Sequence, residues 1–159
     1  MAFDSKRQRE IMGRFATGVT IVTTHVNGRP NGITANAVTS VSLEPPLVLV
    51  CVDRRGSMHE SLTQARCFAV NVLSAEHEEL STRFAKSGPK DFSDLQLAAG
   101  TTGAPILSGA LGYVDCRVTE VHPGGDHDIF LGEIVDGGWG DGEPLLFYGG
   151  EYRRLTSGS

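Results

Sequence analysis

Apolar and β-branched residues recur in short runs along the first half of the chain, separated by glycine, proline and asparagine. Residues 19–26 read VTIVTTHV and residues 47–52 read LVLVCV, and such runs are typical of β-strands. The unbroken run at 47–52 predicts a strand that is buried on both faces. Asn27-Gly28 follows the first run and precedes PNGITANAV, and this dipeptide between two such runs indicates a tight hairpin.

Further strands are predicted at residues 68–73, 111–121, 129–136 and 144–148. The stretch 86–105 is rich in Gly, Ser and Asp, which predicts a long, partly irregular loop. Because no internal repeat, low-complexity tract or linker interrupts the chain, residues 1–159 are predicted to form one domain. The order of elements favours a mainly β fold, a β-barrel with a few peripheral helices, which leaves few exposed strand edges.

The first helix is predicted close to the start of the chain. Asp4 is expected to cap a helix that runs to Arg14, with Ile11, Met12 and Phe15 facing inward.

Two more helices are predicted in the middle of the chain. Ser57 and Glu60 form the capping-box pattern Ser-x-x-Glu at the start of one, and Ser74 begins the other. The apolar residues expected to face inward from these two helices recur at helical spacing, at Met58, Leu62, Ala65, Leu80 and Phe84.

Charge and cysteine content narrow the classes of protein. The net charge is −5, and the segment 115–143 holds eight acidic residues against one base, Arg117. A nucleic-acid-binding protein would need a basic stripe, which this sequence lacks. The three cysteines lie in apolar contexts without a CxxC pair, which is typical of free thiols in a reducing compartment. With neither a signal-like region nor a run of about 18 apolar residues, we expect a soluble cytoplasmic protein that does not enter a membrane.

Common catalytic motifs are missing from the sequence. There is no GxGxxG after a strand, no GxxxxGK[ST] and no GxSxG, and the five histidines lack the spacing of a metal site, so no metal is expected. His127 stands between Asp126 and Asp128 before an apolar run. Read alone, this arrangement fits a metal ligand, a catalytic base or a polar turn before a strand.

Two other stretches carry polar groups in unusual contexts. Residues 53–57, DRRGS, lie between a predicted strand and a predicted helix, where backbone N–H groups, two arginines and a hydroxyl suit a phosphate; the alternative is an ordinary helix start with solvated arginines. Residues 34–42, TANAVTSVS, combine small and polar side chains that would let a flat ligand approach the backbone. The alternative there is an edge strand with its hydroxyls in water.

Several motifs occur together and in order: FATGVTIVTT, NGITANAVTSVSLEPPLVLVCVDRRGSMHESL, FAVNVLSAEHEELSTRFA, GALGYVDCRV, GDHDIFLGEI and LLFYGGEYRRL. Together they resemble the flavin reductase-like family, the small reductase components of two-component flavin monooxygenases. The resemblance covers about residues 15–155. It implies an FMN-binding split barrel, in a homodimer whose flavin site lies near the subunit interface.

The resemblance also implies roles for individual residues. The residues expected to line the flavin ring are Thr34, Ala35, Asn36, Ala37, Ser40, Val41 and Ser42. Those expected around the ribityl phosphate are Cys51, Val52, Asp53, Arg54, Arg55 and Ser57. His127 is expected beside the nicotinamide as the catalytic residue, with Asp126 and Asp128 either holding its ring or forming a turn. The remaining residues expected to bind NADH are Tyr148, Gly149, Gly150, Tyr152 and Arg153.

The activity implied by the resemblance is hydride transfer from NAD(P)H to FMN or FAD, which supplies reduced flavin to a separate monooxygenase. Many relatives have a basic residue directly after the tyrosine that matches Tyr148, whereas Gly149, Gly150 and Glu151 follow here. An acidic residue in this region favours NADH over NADPH, which carries an extra phosphate. The alternatives are a non-enzymatic flavin-binding module and a flavoenzyme of the same fold that acts on its own substrate.

Overall fold

The computed structural model describes residues 2–158. Its helices within that range are α1 (Ser5–Met12), α2 (Ser57–Ala65) and α3 (Glu78–Ala85), with a 3₁₀ turn at Ala75–His77 before α3. The strands of the first half are β1 (Thr17–Gly18), β2 (Thr20–Val26), β3 (Arg29–Ala35), β4 (Val38–Leu43), β5 (Pro46–Asp53) and β6 (Cys67–Val72). Those of the second half are β7 (Leu97–Ala99), β8 (Pro105–Leu107), β9 (Gly112–Gly124), β10 (His127–Trp139), β11 (Leu146–Tyr148) and β12 (Glu151–Arg153).

A seven-stranded antiparallel sheet in the order β3-β2-β6-β9-β10-β5-β4 forms the body of the protein. Its two edge strands, β3 and β4, are consecutive in the chain, and Ile33 and Val38 from these edges pack against the same buried cluster. The sheet therefore curls around one core and stays open between β3 and β4. This confirms the predicted mainly β architecture with peripheral helices.

The core inside the curled sheet is built from large apolar side chains. Phe68 of β6 and Phe130 of β10 are fully buried there, and α2 contributes Met58 and Leu62 to the same cluster. Burial of side chains of this size contributes about 1.5–3 kcal/mol each, so this cluster holds α2 firmly against the sheet. The end of α2 that faces the cleft described below is thereby fixed in place.

The hairpin predicted at Asn27-Gly28 is confirmed. Both residues have positive φ, 52° at Asn27 and 76° at Gly28, and they join β2 to β3. Two consecutive left-handed residues make the tight turn whose twist suits a two-strand ribbon, and Asn and Gly adopt that conformation at least cost.

The prediction that the run at 47–52 is buried on both faces is wrong. Burial alternates along β5, because one face points into the curled sheet and the other receives only partial cover. The inward residues are Val48, Val50 and Val52, and the partly exposed ones are Leu47, Leu49 and Cys51.

The first helix agrees with its predicted start but not with its predicted packing. Asp4 caps it, since its carboxylate accepts a hydrogen bond from the Lys6 backbone N–H at 3.0 Å. The helix ends at Met12, short of Arg14. Ile11, Met12 and Phe15 are between 52% and 69% exposed, because α1 lies on the outside of the barrel and buries no residue in this chain.

The start of α2 also differs from its prediction, whereas α3 follows it. Gly56, not Ser57, is the N-cap residue of α2, and no side chain caps the helix. The Ser57 hydroxyl instead lies 3.3 Å from the Asn31 side-chain amide on β3. Ser74 caps the turn that leads into α3 as predicted, and Leu80 and Phe84 of α3 are buried.

The predicted loop at 86–105 contains the short β7–β8 hairpin and is otherwise irregular. Arg83 of α3 anchors its first part, because the guanidinium contacts the Asp94 carboxylate at 2.7 Å. Buried Asp115 accepts a hydrogen bond from the Thr102 backbone N–H at 2.8 Å and anchors its second part. Within residues 2–158, no helix is both long enough and apolar enough to cross a membrane.

Candidate functional site

An open cleft of about 1300 Å³ lies beside the exposed side of β3. Its walls are β3 with the residues that follow it, the turn that begins α2, and the loop at 86–90 after α3. His127, the first residue of β10, stands at its rim directly opposite Asp53 in the antiparallel register. Three segments that are far apart in the sequence, at 34–37, 51–57 and 127, are brought together here.

Most but not all of the predicted flavin-binding residues line this cleft. Those that do are Thr34, Ala35, Asn36, Ala37, Cys51, Asp53, Arg55 and Ser57. Ser40, Val41 and Ser42 lie on the edge strand β4 instead, away from the cleft lining. Val52 is 2% exposed and its side chain belongs to the core. Arg54 points to the opposite face of the sheet, where it contacts Asp128.

The segment at 34–37 provides a floor of small side chains with a fixed backbone. The Thr34 hydroxyl donates to the Ser81 carbonyl of α3 at 2.6 Å, and the Thr20 hydroxyl donates to the Ala35 carbonyl at 2.7 Å. The Cys51 backbone N–H donates to the Ala37 carbonyl at 3.1 Å. Burial raises the pKa of the Cys51 thiol, which keeps it protonated. A flat ligand would meet a small, uncharged and preorganised surface here.

The turn at 53–57 presents backbone donors to the cleft. Because Gly56 caps α2 without a side-chain acceptor, no side chain caps the first-turn N–H groups, although the His59 N–H donates to the Gly56 carbonyl at 3.2 Å. The Asp53 carboxylate accepts hydrogen bonds from the Arg55 backbone N–H at 2.8 Å and from the Arg55 guanidinium at 2.9 Å. These hydrogen bonds lower the pKa of the Asp53 carboxyl. The Arg55 side chain is otherwise exposed to the cleft. This combination suits an anionic group at the positive end of the helix dipole.

Cations dominate the charged residues of the cleft. Among its lining residues, Arg29, Arg55, Lys86 and Lys90 are basic and Asp53 is the one carboxylate, although the chain as a whole has a net charge of −5. Burial lowers the pKa of Lys90. Sequence reasoning missed Arg29 and gave Lys86 and Lys90 no role. No sequence pattern indicates these residues, because only the contact between β3 and the loop after α3 brings them to one place.

His127 is positioned by the carboxylate that precedes it. Its Nδ1 lies 2.7 Å from Asp126 Oδ1, and this hydrogen bond lowers the pKa of the Asp126 carboxyl. The imidazole is 41% exposed at the cleft rim. Of the two roles left open for Asp128, it does not have that of holding this ring, because successive strand residues point to opposite faces and Asp128 contacts His59 and Arg54 instead.

The C-terminal residues expected to bind NADH do not line the cleft of their own chain. They form the β11–β12 hairpin, whose Gly149 and Gly150 have positive φ and border a smaller hollow of about 330 Å³ against α1. The Tyr152 hydroxyl lies 2.6 Å from the hydroxyl of buried Ser81. The Arg153 guanidinium stacks over the Tyr148 ring at 5.9 Å.

The cleft fits a flavin by the chemistry of its groups. It pairs a floor of small residues with N–H groups and cations at one end, which matches a flat ring joined to a phosphate. In the part of the chain that the structure describes, no group of three His, Cys, Asp or Glu side chains is arranged to hold a metal ion.

Known proteins share this sequence and structure. The family described as flavin reductase like domain matches residues 12–156. The NADH-dependent FAD reductase of Streptomyces globisporus is 42% identical over 160 residues, covering 96% of this chain and 87% of that protein. The FMN reductase (NADH) SmoA of Agrobacterium fabrum is 40% identical over 153 residues, with 96% and 87% covered.

The same relationship is visible among solved structures. BorF, the flavin reductase component of a bacterial two-component tryptophan halogenase, superposes with a TM-score of 0.90 at 39% identity, covering 96% of this chain and 98% of that one. The fold implied by the sequence motifs is therefore confirmed.

Proposed function

This chain belongs to the flavin reductase-like family, and on that premise we propose that it transfers hydride from NADH to FMN or FAD. The observation that carries the proposal is the single cleft in which the floor at 34–37, the turn at 53–57 and His127 meet. These are the segments that hydride transfer to a flavin needs, one for the ring, one for the phosphate and one for the nicotinamide.

A bound flavin would supply the hydride acceptor, so the protein needs no strong acid or base of its own. The residues at 34–37 would support the ring, and the open N–H groups of α2 with Arg55 would hold the phosphate. Arg29, Lys86 and Lys90 add positive charge around the cleft, which favours anionic nucleotides over neutral molecules of similar shape.

His127 would orient the nicotinamide. Because the Asp126 carboxylate accepts a hydrogen bond from Nδ1 of His127, the neutral imidazole carries its proton on Nδ1 and offers Nε2 as an acceptor. An amide or ribose hydroxyl of NADH is the matching donor. Holding the two reacting rings together in this way is the main contribution that the protein makes to the rate.

NADH is the preferred donor in this proposal. Glu151 forms an ion pair with Arg153 at 3.0 Å, so the hairpin offers little uncompensated positive charge to the extra phosphate of NADPH. Both FMN and FAD are proposed as hydride acceptors, because the cleft is open and large.

The chain is proposed to act as a homodimer and to deliver reduced flavin to a separate monooxygenase component. The exposed Ile11, Met12 and Phe15 support self-association, since apolar side chains grouped at a surface favour burial against a partner. In such a dimer, the hairpin with Tyr148 and Arg153 would contact the cleft of the other subunit. The free thiols Cys51, Cys67 and Cys116 support a cytoplasmic location.

The function is tested by following loss of NADH absorbance with FMN, FAD and riboflavin added in turn. The proposal predicts protein-dependent NADH oxidation with at least FMN or FAD, and slower oxidation with NADPH. Tight flavin binding without NADH consumption would instead indicate a flavin-binding module. Turnover of an organic substrate without an oxygenase would indicate a flavoenzyme that acts by itself.

A further inference from the structure

Three side chains from three elements meet behind the cleft, at the carboxylate of Asp128 on β10. Oδ1 accepts a hydrogen bond from Arg54 Nε at 2.8 Å and forms an ion pair with the terminal nitrogen of the same guanidinium at 2.7 Å. Oδ2 lies 2.7 Å from Nε2 of His59, in the first turn of α2. Both oxygens are thus occupied by groups that belong to the turn at 53–57 or to the helix that follows it.

This cluster is more sheltered than an ordinary surface ion pair. The side chain of Asp128 is 16% exposed and that of His59 is 23% exposed, and the His59 ring packs edge-on against buried Phe130 at 5.5 Å. The hydrogen bonds from His59 and Arg54 lower the pKa of the Asp128 carboxyl. The Arg54 backbone N–H also donates to the Asp126 carbonyl at 3.1 Å, so the turn is joined to β10 through both backbone and side chain.

Because of its position, the cluster can affect the cleft only indirectly. Asp128 and His127 are neighbours on one strand and point to opposite faces, so Asp128 does not line the cleft. Its contacts nevertheless join the turn at 53–57 and α2 to the strand that carries His127. Arg54 is directed to this carboxylate and does not line the cleft, whereas Arg55, although paired with Asp53, lines the cleft with a side chain that is 82% exposed, beside the N–H groups of the helix.

We propose that Asp128 is a positioning residue, which through Arg54 and His59 holds the phosphate-binding turn in register with the strand that carries His127. The proposal rests on the proposed function, because it takes the turn at 53–57 as the phosphate site. It makes a selective prediction: FMN has the phosphate and riboflavin lacks it, so loss of the cluster weakens FMN binding and spares riboflavin binding.

Asp128→Asn tests this through the dissociation constants of FMN and riboflavin, measured by quenching of flavin fluorescence. The expected result is an FMN constant raised about tenfold, with the riboflavin constant changed by less than about twofold. A structural role alone would raise both constants together, so equal changes for the two flavins overturn the proposal. An unchanged FMN constant overturns it as well.

Glu120→Gln is the matched control, because Glu120 forms a carboxylate–histidine pair with His122 at the same 2.7 Å, but this pair involves neither the turn at 53–57 nor α2. It is expected to change neither constant. If Asp128→Asn does not fold, Arg54→Gln, which alters the more exposed end of the cluster, is measured in the same way. Wild-type protein that binds FMN but does not oxidise NADH would contradict the proposed function and leave the positioning test intact.

Discussion

Asp126 holds the imidazole of His127 through a 2.7 Å contact between Oδ1 and Nδ1, whereas Asp128 on the other side of the histidine turns away to Arg54 and His59. Two carboxylates in equivalent sequence positions therefore have different roles. One orients a residue at the cleft rim, and the other fixes the turn behind it. The physical reason is that Asp126 lies in the turn before β10, whereas Asp128 lies on the strand and points to the face opposite His127.

Replacing His127 tests its role at the nicotinamide. His127→Ala is expected to lower the rate of NADH oxidation several-fold and to leave FMN binding nearly unchanged, because the imidazole lies at the rim and not on the floor of the cleft. Steady-state kinetics and FMN fluorescence titration measure the two effects separately. Steady-state kinetics equal to those of the wild type would contradict the role.

Gly132, the second glycine of the segment GDHDIFLGEI, is a packing requirement. A Cβ at Gly132 would lie 2.6 Å from Cζ of Phe68 and 2.9 Å from Cβ of Cys116, both fully buried. Gly132→Ala is therefore expected to lower the free energy of unfolding by about 1–3 kcal/mol. Chemical denaturation measures this, with Gly140→Ala as control, since a Cβ there has no neighbour within 4 Å. Equal stability of the two variants would contradict the packing argument.

Acid is expected to destabilise the protein. Hydrogen bonds from Arg55, Arg83 and His127 lower the pKa values of Asp53, Asp94 and Asp126 in the folded state. Each carboxyl therefore binds protons more tightly when unfolded, so the stability it contributes is present above its unfolded pKa of about 3.9 and is lost as the pH falls toward its folded pKa. Thermal melting across this range should show Tm falling, and less steeply in Asp94→Asn. A Tm that stays constant into strong acid would contradict this reasoning.

The contribution of one subunit to the cleft of the other is tested by mixing two impaired variants. His127→Ala alters the cleft and Tyr148→Ala alters the hairpin, so a mixed dimer has one site with both changes and one intact site. Co-expression is expected to restore roughly a quarter of wild-type activity, since half of randomly formed dimers are mixed. Activity no higher than that of the two variants separately would contradict a contribution of the hairpin to the cleft of the other subunit.

Local features of the fold could be predicted from the sequence because neighbouring residues determine them. Asn27 and Gly28 favour positive φ by themselves, and the Asp4 and Ser74 caps involve groups within three residues. The packing of α1 could not be predicted in this way. Its apolar residues follow a helical spacing, but only the three-dimensional arrangement shows that this chain has no core beneath them.

In the candidate site, too, some features could be predicted from the local sequence and others could not. The segments at 34–37 and 53–57 have distinctive composition, and the structure brings both to the cleft. The pairing of Asp128 with Arg54 and His59 spans 74 and 69 residues of sequence, so no local pattern indicates it. Arg29 and Lys90 likewise meet across the cleft only after β3 and α3 have packed together.

The proposed reaction is the transfer of hydride from NADH to flavin by this protein itself. Mixing it with FMN and NADH in the absence of oxygen tests this most directly, with the absorbance of both compounds recorded together. NADH and oxidised FMN are expected to disappear one for one, at a rate proportional to the protein concentration. Binding of FMN with no faster loss of either absorbance than in a protein-free control would contradict the proposal.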